Sequence, residues 1–231
     1  MQWVWTNFDM IWSLTLAHIG LSVIPIIVGF LVSIPLGYVA SRSRVARSIL
    51  LTTGGILYTI PSLALFVGIP VVLGTSILDP TNVIVALTTY AIALMVRTSA
   101  DAFASVAEPV QDSATAIGFS RWQRFFSVDL PLAGPVLLAG TRVVSVSTVS
   151  LVSIGAVIGV SNLGSLFTQG FQINFYTEIL TGLVGVLLIA VVFDIILVLI
   201  ARVLMPWNRP NSPSLAKTTA VPRLFRLGGV R

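Results

Sequence analysis

The chain has 231 residues, of which 56% are hydrophobic and 9% are charged. Soluble domains carry about 25% charged residues, so this composition excludes an ordinary water-soluble domain and indicates a membrane protein. There are no cysteines, which excludes disulfides and thiolate metal sites. The net charge of +5 would suggest nucleic acid in a soluble protein. In a membrane protein an excess of basic residues instead reflects how the chain is oriented in the bilayer, so we expect no nucleic-acid partner.

Five apolar runs are long enough to cross a bilayer, which takes about 20 helical residues. In chain order they are residues 19–40, 50–73, 82–100, 135–160 and 179–204. The runs are continuous rather than alternating, so they are not strands of a membrane barrel. The sequence therefore predicts an all-α polytopic membrane protein with five transmembrane helices in residues 19–207.

The basic residues predict the orientation of the chain. Residues 1–17, 74–81 and 161–178 contain no Lys or Arg, whereas the other connections and the C-terminal segment hold or border every basic residue. Cytoplasmic connections carry the excess of Lys and Arg in membrane proteins. We therefore expect the N-terminus outside and the C-terminus inside.

The two ends of the chain have their own signatures. Trp5, Phe8 and Trp12 recur at helical spacing, which predicts an outer interfacial helix over residues 1–18, with an unstructured lead-in as the alternative. Residues 208–231 are rich in Pro, Ser, Thr and Arg and have no periodicity. This composition predicts a disordered basic cytoplasmic tail.

No catalytic, metal or cofactor site is expected. The single histidine, His18, is interpreted as an interfacial polar residue at the outer edge of the first span. A phosphate-binding loop needs Gly-Lys before Ser or Thr, and the only lysine, Lys217, follows Ala216. Transport that uses ATP would therefore need a second polypeptide to hydrolyse it.

Two charges are predicted to lie inside the membrane. Asp194 is deep in the fifth span and Arg142 is at a similar depth in the fourth. A charge at that depth is costly unless it is paired or hydrated. We expect the two to pair across the bundle, either to fix helix packing or to take part in solute or proton passage.

Polar residues mark a candidate pathway through the second and fourth spans. Pro61 should kink the second helix, and freed backbone at that depth is tolerated where it faces protein or a water-filled cavity. The fourth span is the most polar, so one face could line a hydrated path or only pack tightly. The candidates are Tyr58, Thr59, Pro61, Ser62, Ser145 and Thr148.

Residues 101–133 form the longest predicted cytoplasmic connection. Pro109 suits a helix start, and Gly118 suits the end of that helix. A second short helix is predicted by the aromatic residues of 119–126, ending at Leu130-Pro131. Such a loop offers apolar side chains either to a partner's groove or to the membrane surface.

This loop resembles the "EAA" loop of permeases from binding-protein-dependent ABC importers. That motif is Glu-Ala-Ala, three residues, Gly, nine residues, then Ile-x-Leu-Pro. Here the same spacing joins Asp112-Ser113-Ala114, Gly118 and the run "VDLP" that ends in Leu130-Pro131. The departures are Asp for Glu, Ser for Ala and Val for Ile.

The resemblance extends over about residues 14–207, through stretches such as "YTIPSLALF" and "NLGSLF". These look like the permeases of glycine betaine/carnitine/choline (osmoprotectant) importers. The implied fold is the MetI-like transmembrane domain of type I importers, and the implied location is the bacterial cell membrane. The implied partners are an ABC ATPase subunit, an extracytoplasmic solute-binding protein, a second permease (identical or a sister chain) and the lipid membrane.

The resemblance also implies roles for particular residues. Those of the ATPase-coupling loop would be Asp112, Ser113, Ala114, Gly118, Phe119, Trp122, Phe125, Leu130 and Pro131, with the three aromatics as the docking knobs. For a quaternary-amine solute, Tyr58 and Tyr90 are candidates for transient contacts.

Three alternatives remain from the sequence. The nearest is a permease of a methionine or other small-solute importer, which also has five spans and a similar loop. A self-sufficient channel or ion-coupled transporter would use Arg142 and Asp194 as working charges. A purely structural membrane subunit would tolerate loss of Pro61.

Overall fold

The computed structural model describes residues 2–208, which are almost entirely helical. The helices are α1 (Gln2–Thr6), α2 (Phe8–Arg42), α3 (Arg44–Thr59), α4 (Ser62–Leu73), α5 (Pro80–Ala104), α6 (Glu108–Ala116), α7 (Arg121–Arg124), α8 (Leu130–Val152), α9 (Gly164–Gln172) and α10 (Tyr176–Leu204). A π-helical turn, Phe125–Asp129, joins α7 to α8, and 3₁₀ turns cover Ser153–Ile158 and Pro206–Asn208. The predicted tail, 208–231, lies outside the described residues except for Asn208.

Four or five membrane crossings fit the helices of residues 2–208. Four helical stretches are long and apolar enough by themselves: Phe8–Arg42, Pro80–Ala104, Arg121–Ile158 and Tyr176–Leu204. The fifth is the pair α3 and α4, which are bent by 102° at the break between them. The number of spans therefore depends on whether this bent pair crosses the membrane or re-enters from one side.

The break between α3 and α4 lies at Pro61, as the sequence predicts. Ile60 and Pro61 are extended, with ψ of 128° and 134°. Proline removes one backbone donor and disfavours helical geometry in the residue before it, so the helix ends there. The bend of 102° is much larger than the kink that one proline imposes in a continuous helix, and it separates two helices rather than bending one.

The N-terminal segment differs from the predicted outer helix over residues 1–18. The structure has no boundary at residue 18, because α2 runs without interruption from Phe8 to Arg42. Trp5, Phe8 and Trp12 are exposed, whereas Ile11 and other residues of the same turns pack towards α10. The apolar periodicity of this stretch belongs to the first turns of the long helix.

Helices α2 and α5 pack closely because small residues line their contact. A Cβ on Gly29 would lie 2.5 Å from Cβ of Ala91, and one on Gly37 would lie 2.2 Å from Cβ of Ser99. Neither distance is possible for real atoms, so only glycine fits at these two positions. Small residues at this spacing are how membrane helices bring their backbones together.

Helix α5 forms the centre of the bundle. Its buried residues join two hydrophobic clusters, one with α4 and the end of α8 around Phe66, Leu87 and Val152, and one with α8 around Met95 and Leu137. Helix α10 is peripheral and exposes most of its apolar side chains. In lipid such a face needs no protein cover, because the acyl chains are as apolar as the side chains.

Candidate functional site

The loop between α5 and α8 contains the helix, glycine turn and helix that the sequence predicts. Pro109 lies in the first turn of α6. Gly118 follows α6 with φ of +94°, a conformation that strains any residue with a Cβ. Helix α7 then begins with a capping box, in which Ser120 Oγ accepts from the Gln123 backbone N–H and the Ser120 N–H donates to Gln123 Oε1.

The motif residues at the start of this loop divide into exposed and buried positions. Asp112 and Ser113 are exposed, and the Ser113 hydroxyl donates to the Pro109 carbonyl at 2.7 Å. Ala114 is buried, with 6% of its surface accessible. The acidic residue of the motif is therefore accessible, whereas the small residue two positions later packs inwards.

Several large apolar side chains of the loop are exposed. Ile117 exposes 73% of its surface and Trp122 74%, with Phe119 and Phe126 also accessible. Trp122 stacks on Phe126 with ring centroids 6.2 Å apart. A soluble segment rarely exposes so much apolar surface in one place unless it binds something.

Phe125 is not one of these exposed side chains, contrary to the sequence prediction. Its ring makes edge-to-face contacts with Tyr38 of α2, at 4.8 Å between centroids, and lies 5.8 Å from Phe103 of α5. Trp122 and Phe126 are four residues apart and share the exposed face of the helix, whereas Phe125 lies on the neighbouring face that meets α2 and α5. Phe125 anchors the loop to the bundle.

The prediction that Leu130-Pro131 ends the second loop helix is wrong. Helix α7, the π-helical turn and α8 form one continuous helical stretch. With the 3₁₀ turn that follows, it runs from Arg121 to Ile158 and is long enough to cross a membrane. Pro131 directly follows the π-helical turn, in which the Leu130 N–H donates to the Phe125 carbonyl, so the proline is accommodated where the regular α-helical hydrogen-bond pattern is already interrupted. The loop is therefore joined to a membrane helix without a flexible link.

Sequence reasoning missed the residue that fixes this junction, Asp129. Its carboxylate is 1% exposed and accepts from Arg42 at 3.0 Å, while Arg124 Nε lies 3.5 Å away. Arg42 also donates to Gln111 of α6 at 2.7 Å, so it joins the end of α2 to both arms of the loop. The sequence did contain one signal: Asp129 stands between two apolar residues, Val128 and Leu130, in a chain with only 8 acidic residues.

The candidate pathway residues around Pro61 lie together. Tyr58 is 45% exposed and contacts Tyr90 edge to face, with centroids 5.7 Å apart. Tyr90 is buried, and its hydroxyl donates to the Ile60 carbonyl. Tyr90 therefore satisfies backbone that the break at Pro61 frees. Of the other two candidates here, Thr59 is exposed and Ser62 is partly buried.

The candidates on α8 are inside the bundle. Ser145 and Thr148 are 1% and 3% exposed, and Thr141 on the same face donates to the Leu137 carbonyl at 2.8 Å. In the single chain these side chains pack against protein rather than line an open groove. The structure thus does not bring them together with Tyr58.

Arg142 and Asp194 form the pair that the sequence suggests. Arg142 Nε lies 2.5 Å from Asp194 Oδ1, and Nη2 lies 2.8 Å from Oδ2. This two-point geometry is the strongest arrangement between a guanidinium and a carboxylate. The pair joins α8 to the peripheral α10.

His18 is not an interfacial residue as the sequence suggested. It is completely buried, and its Nε2 donates to the Val149 carbonyl at 3.0 Å. The usual helical partner of that carbonyl, the Ser153 N–H, bonds instead to Ser150 and Leu151 where α8 becomes a 3₁₀ turn. His18 thus satisfies a backbone acceptor released at a helix end inside the bundle.

The stretch "NLGSLF" has a structural explanation. Asn162 is fully buried; its Oδ1 accepts from the Gly164 N–H at 2.7 Å and its Nδ2 donates to the Val160 carbonyl at 2.9 Å. A Cβ on Gly164 would lie 2.2 Å from the Ser153 carbonyl oxygen. These two residues start α9 against the end of α8. Within residues 2–208 no group of three His, Cys, Asp or Glu side chains could hold a metal.

Comparison with known proteins identifies the family. Residues 29–210 match the family model "Binding-protein-dependent transport system inner membrane component". The chain belongs to this family of membrane-spanning ABC importer permeases.

Two curated permeases are similar over nearly their whole length. The choline transport system permease protein OpuBB of Bacillus subtilis is 30% identical over 206 residues, covering 89% of this chain and 94% of the relative. The osmoprotectant import permease protein OsmW of Salmonella typhimurium is 30% identical over 203 residues, covering 87% and 94%. Among solved structures, the inward-facing MetNI methionine ABC transporter aligns with a TM-score of 0.74 at 20% identity, covering 86% of this chain and 98% of that one. This last likeness confirms the MetI-like fold.

Proposed function

We propose that this permease subunit imports quaternary-amine osmoprotectants such as choline, glycine betaine and carnitine, driven by ATP hydrolysis in a separate subunit. The observation that supports the solute class is the 30% identity to a choline permease over 89% of this chain. The similarity to the methionine transporter is at 20% identity and supports only the fold. The sequence contains no Gly-Lys phosphate loop of its own.

The exposed face of the α5–α8 loop is the proposed docking site for the ATPase. Asp112 offers a carboxylate, and Ile117, Phe119 and Trp122 offer apolar side chains, all on one projecting segment. An apolar helix face seated in a groove, with a charge at its rim, is a common recognition mode. Binding there would bury the aromatic surface that the single chain leaves accessible.

The connections of this loop explain how docking could move the membrane helices. One arm continues through the π-helical turn into α8. The other is tied to α2 by Arg42, which contacts both Gln111 and Asp129. A rotation of the loop would therefore carry α8 and the cytoplasmic end of α2 with it, which is what switching between inward and outward access requires.

A second permease, identical or a sister chain, would complete the pathway. Tyr58 is the proposed solute contact on this chain, because its ring is accessible and Tyr90 holds it edge to face. A quaternary ammonium binds weakly to such a ring by cation–π attraction, which suits passage rather than retention. Selectivity for the solute would then lie in a solute-binding protein that docks outside. The N-terminus of this permease would be on that same side of the membrane, and its C-terminus in the cytoplasm.

The experiment is uptake of radiolabelled choline, glycine betaine and carnitine into proteoliposomes, with and without internal ATP. They would contain this chain, its ATPase and its binding protein, with any sister permease. We expect ATP-dependent uptake that Gly118→Val abolishes, because a β-branched residue is severely strained at φ of +94°. ATP hydrolysis would be measured in parallel.

Gly118→Asn is the matched control, because asparagine tolerates positive φ and no other atom lies within 4 Å of a Cβ at this position. It should keep most of the uptake. Uptake that is independent of ATP and of both substitutions would overturn the importer mechanism. ATP-dependent uptake of methionine, and of none of the three amines, would overturn the solute class alone.

A further inference from the structure

A cavity of about 470 Å³ lies beside the loop, at the cytoplasmic end of α2. Its lining consists of Tyr38, Arg42, Thr115, Phe119, Arg121 and Arg124. This volume is within the range of about 300–1,000 Å³ that is typical of small-molecule sites. Half of the lining residues are arginines, in a chain with few charges.

Protein carboxylates neutralise only part of the arginine charge around this cavity. Asp129 contacts Arg42 at 3.0 Å and Arg124 at 3.5 Å, so one negative charge serves two guanidiniums. Arg121 is exposed and has no carboxylate within 4 Å among the described residues. The site therefore keeps an excess of two positive charges in a concave, partly enclosed space.

The existing contacts hold two of the guanidiniums in place and leave donors unused. Arg42 donates through Nη1 to Gln111 and through Nη2 to Asp129, and its guanidinium lies 5.1 Å from the Tyr38 ring centroid. Arg124 donates through Nη1 to Thr115 at 3.2 Å. Within residues 2–208, Arg42 Nε and the Arg121 guanidinium make no hydrogen bond, and Arg124 Nε is buried without one. A fixed pair of guanidiniums with a third, free one is a favourable arrangement for oxyanion binding, because little ordering remains to be done.

We propose that this cavity binds a phosphate group, held by Arg42, Arg121 and Arg124. Guanidinium forks match phosphate oxygens in two-point hydrogen bonds, which makes arginine the preferred residue for phosphate. Tyr38 and Arg42 lie in the last turns of the membrane helix α2, so the cavity is at the end of that helix, where a lipid headgroup could reach it. The phosphate of an anionic phospholipid and free inorganic phosphate share this chemistry.

The test uses the full chain in phosphatidylcholine nanodiscs, with and without phosphatidylglycerol in equal parts. Lipid retained by the protein is counted by native mass spectrometry, and inorganic phosphate is titrated calorimetrically into the phosphatidylcholine-only sample. Arg121→Gln removes an exposed guanidinium that makes no hydrogen bond or ion pair within the described residues, so the fold should be unaffected. Loss of one charge-assisted contact should weaken phosphate binding about tenfold.

Arg44→Gln is the matched control, because Arg44 is exposed at the start of α3, carries the same charge and does not line the cavity. Preferential phosphatidylglycerol retention that Arg121→Gln lowers and Arg44→Gln does not would identify a lipid headgroup. Calorimetric binding of inorganic phosphate with the same dependence would identify the free ion. Equal effects of the two variants, or none, would overturn the site. Weakened ATPase association with unchanged phosphate binding would also overturn it, in favour of a partner carboxylate. None of these readouts requires transport activity.

Discussion

Replacing the buried carboxylate of Asp129 should destabilise the protein much more than replacing an exposed one. In Asp129→Asn the side chain keeps its shape but loses its charge, so Arg42 and Arg124 face each other without compensation. Removing one partner of a fully buried ion pair costs about 3–5 kcal/mol. Here Arg42 is 37% exposed and Arg124 19%, so water recovers part of this cost and we expect about 2–3 kcal/mol.

Asp101→Asn provides the matched control for this prediction. Asp101 also pairs with an arginine, Arg47 of α3, but its side chain is 53% exposed. An exposed pair contributes about 0–1 kcal/mol. The measurement is thermal unfolding of each variant in detergent, followed by tryptophan fluorescence, with Asp129→Glu as the charge-retaining variant.

The same variants also separate stability from coupling. If Asp129 transmits loop movement to α2, Asp129→Asn should lower the solute transported per ATP hydrolysed, at temperatures where the protein stays folded. Asp129→Glu should restore part of that ratio. Equal unfolding temperatures for Asp129→Asn and Asp101→Asn would refute the argument from burial.

Three further predictions concern the membrane helices. Gly37→Val should lower the free energy of unfolding by about 3 kcal/mol or more, because the new Cβ would overlap Ser99 and overpacking is destabilising. Thermal unfolding measures this loss, and an unchanged midpoint would contradict the close contact between α2 and α5. Asp194→Asn should destabilise the protein in lipid because it leaves Arg142 without its partner, and adding Arg142→Gln should restore stability. A double variant that is no more stable than Asp194→Asn alone would show that the two residues are not coupled. Asn162→Ala should cost about 1–3 kcal/mol, because the buried Gly164 N–H at the start of α9 loses its acceptor. Faster amide exchange at the start of α9 would show this loss, and unchanged exchange there would contradict it.

The sequence by itself determined the class of the protein and the outline of its loop. Apolar runs, prolines and glycines act through local geometry, so the spans, the break at Pro61 and the turn at Gly118 could be located from the residues alone. The charge-bearing residues Arg142 and Asp194 could be paired because each is costly in lipid and only one partner lay at the same depth. The family resemblance depended on spacing, which is also local information.

Tertiary structure decided which side chains of those elements are buried and what they touch. Phe125 belongs to the same aromatic cluster in the sequence as its exposed neighbours, but the loop packs on α2 so that this ring meets Tyr38. His18 and Asp129 are buried because acceptors or donors from distant helices meet them, Val149 in one case and Arg42 in the other. Such contacts join residues far apart in the chain, and their free energy depends on geometry that the order of residues does not express.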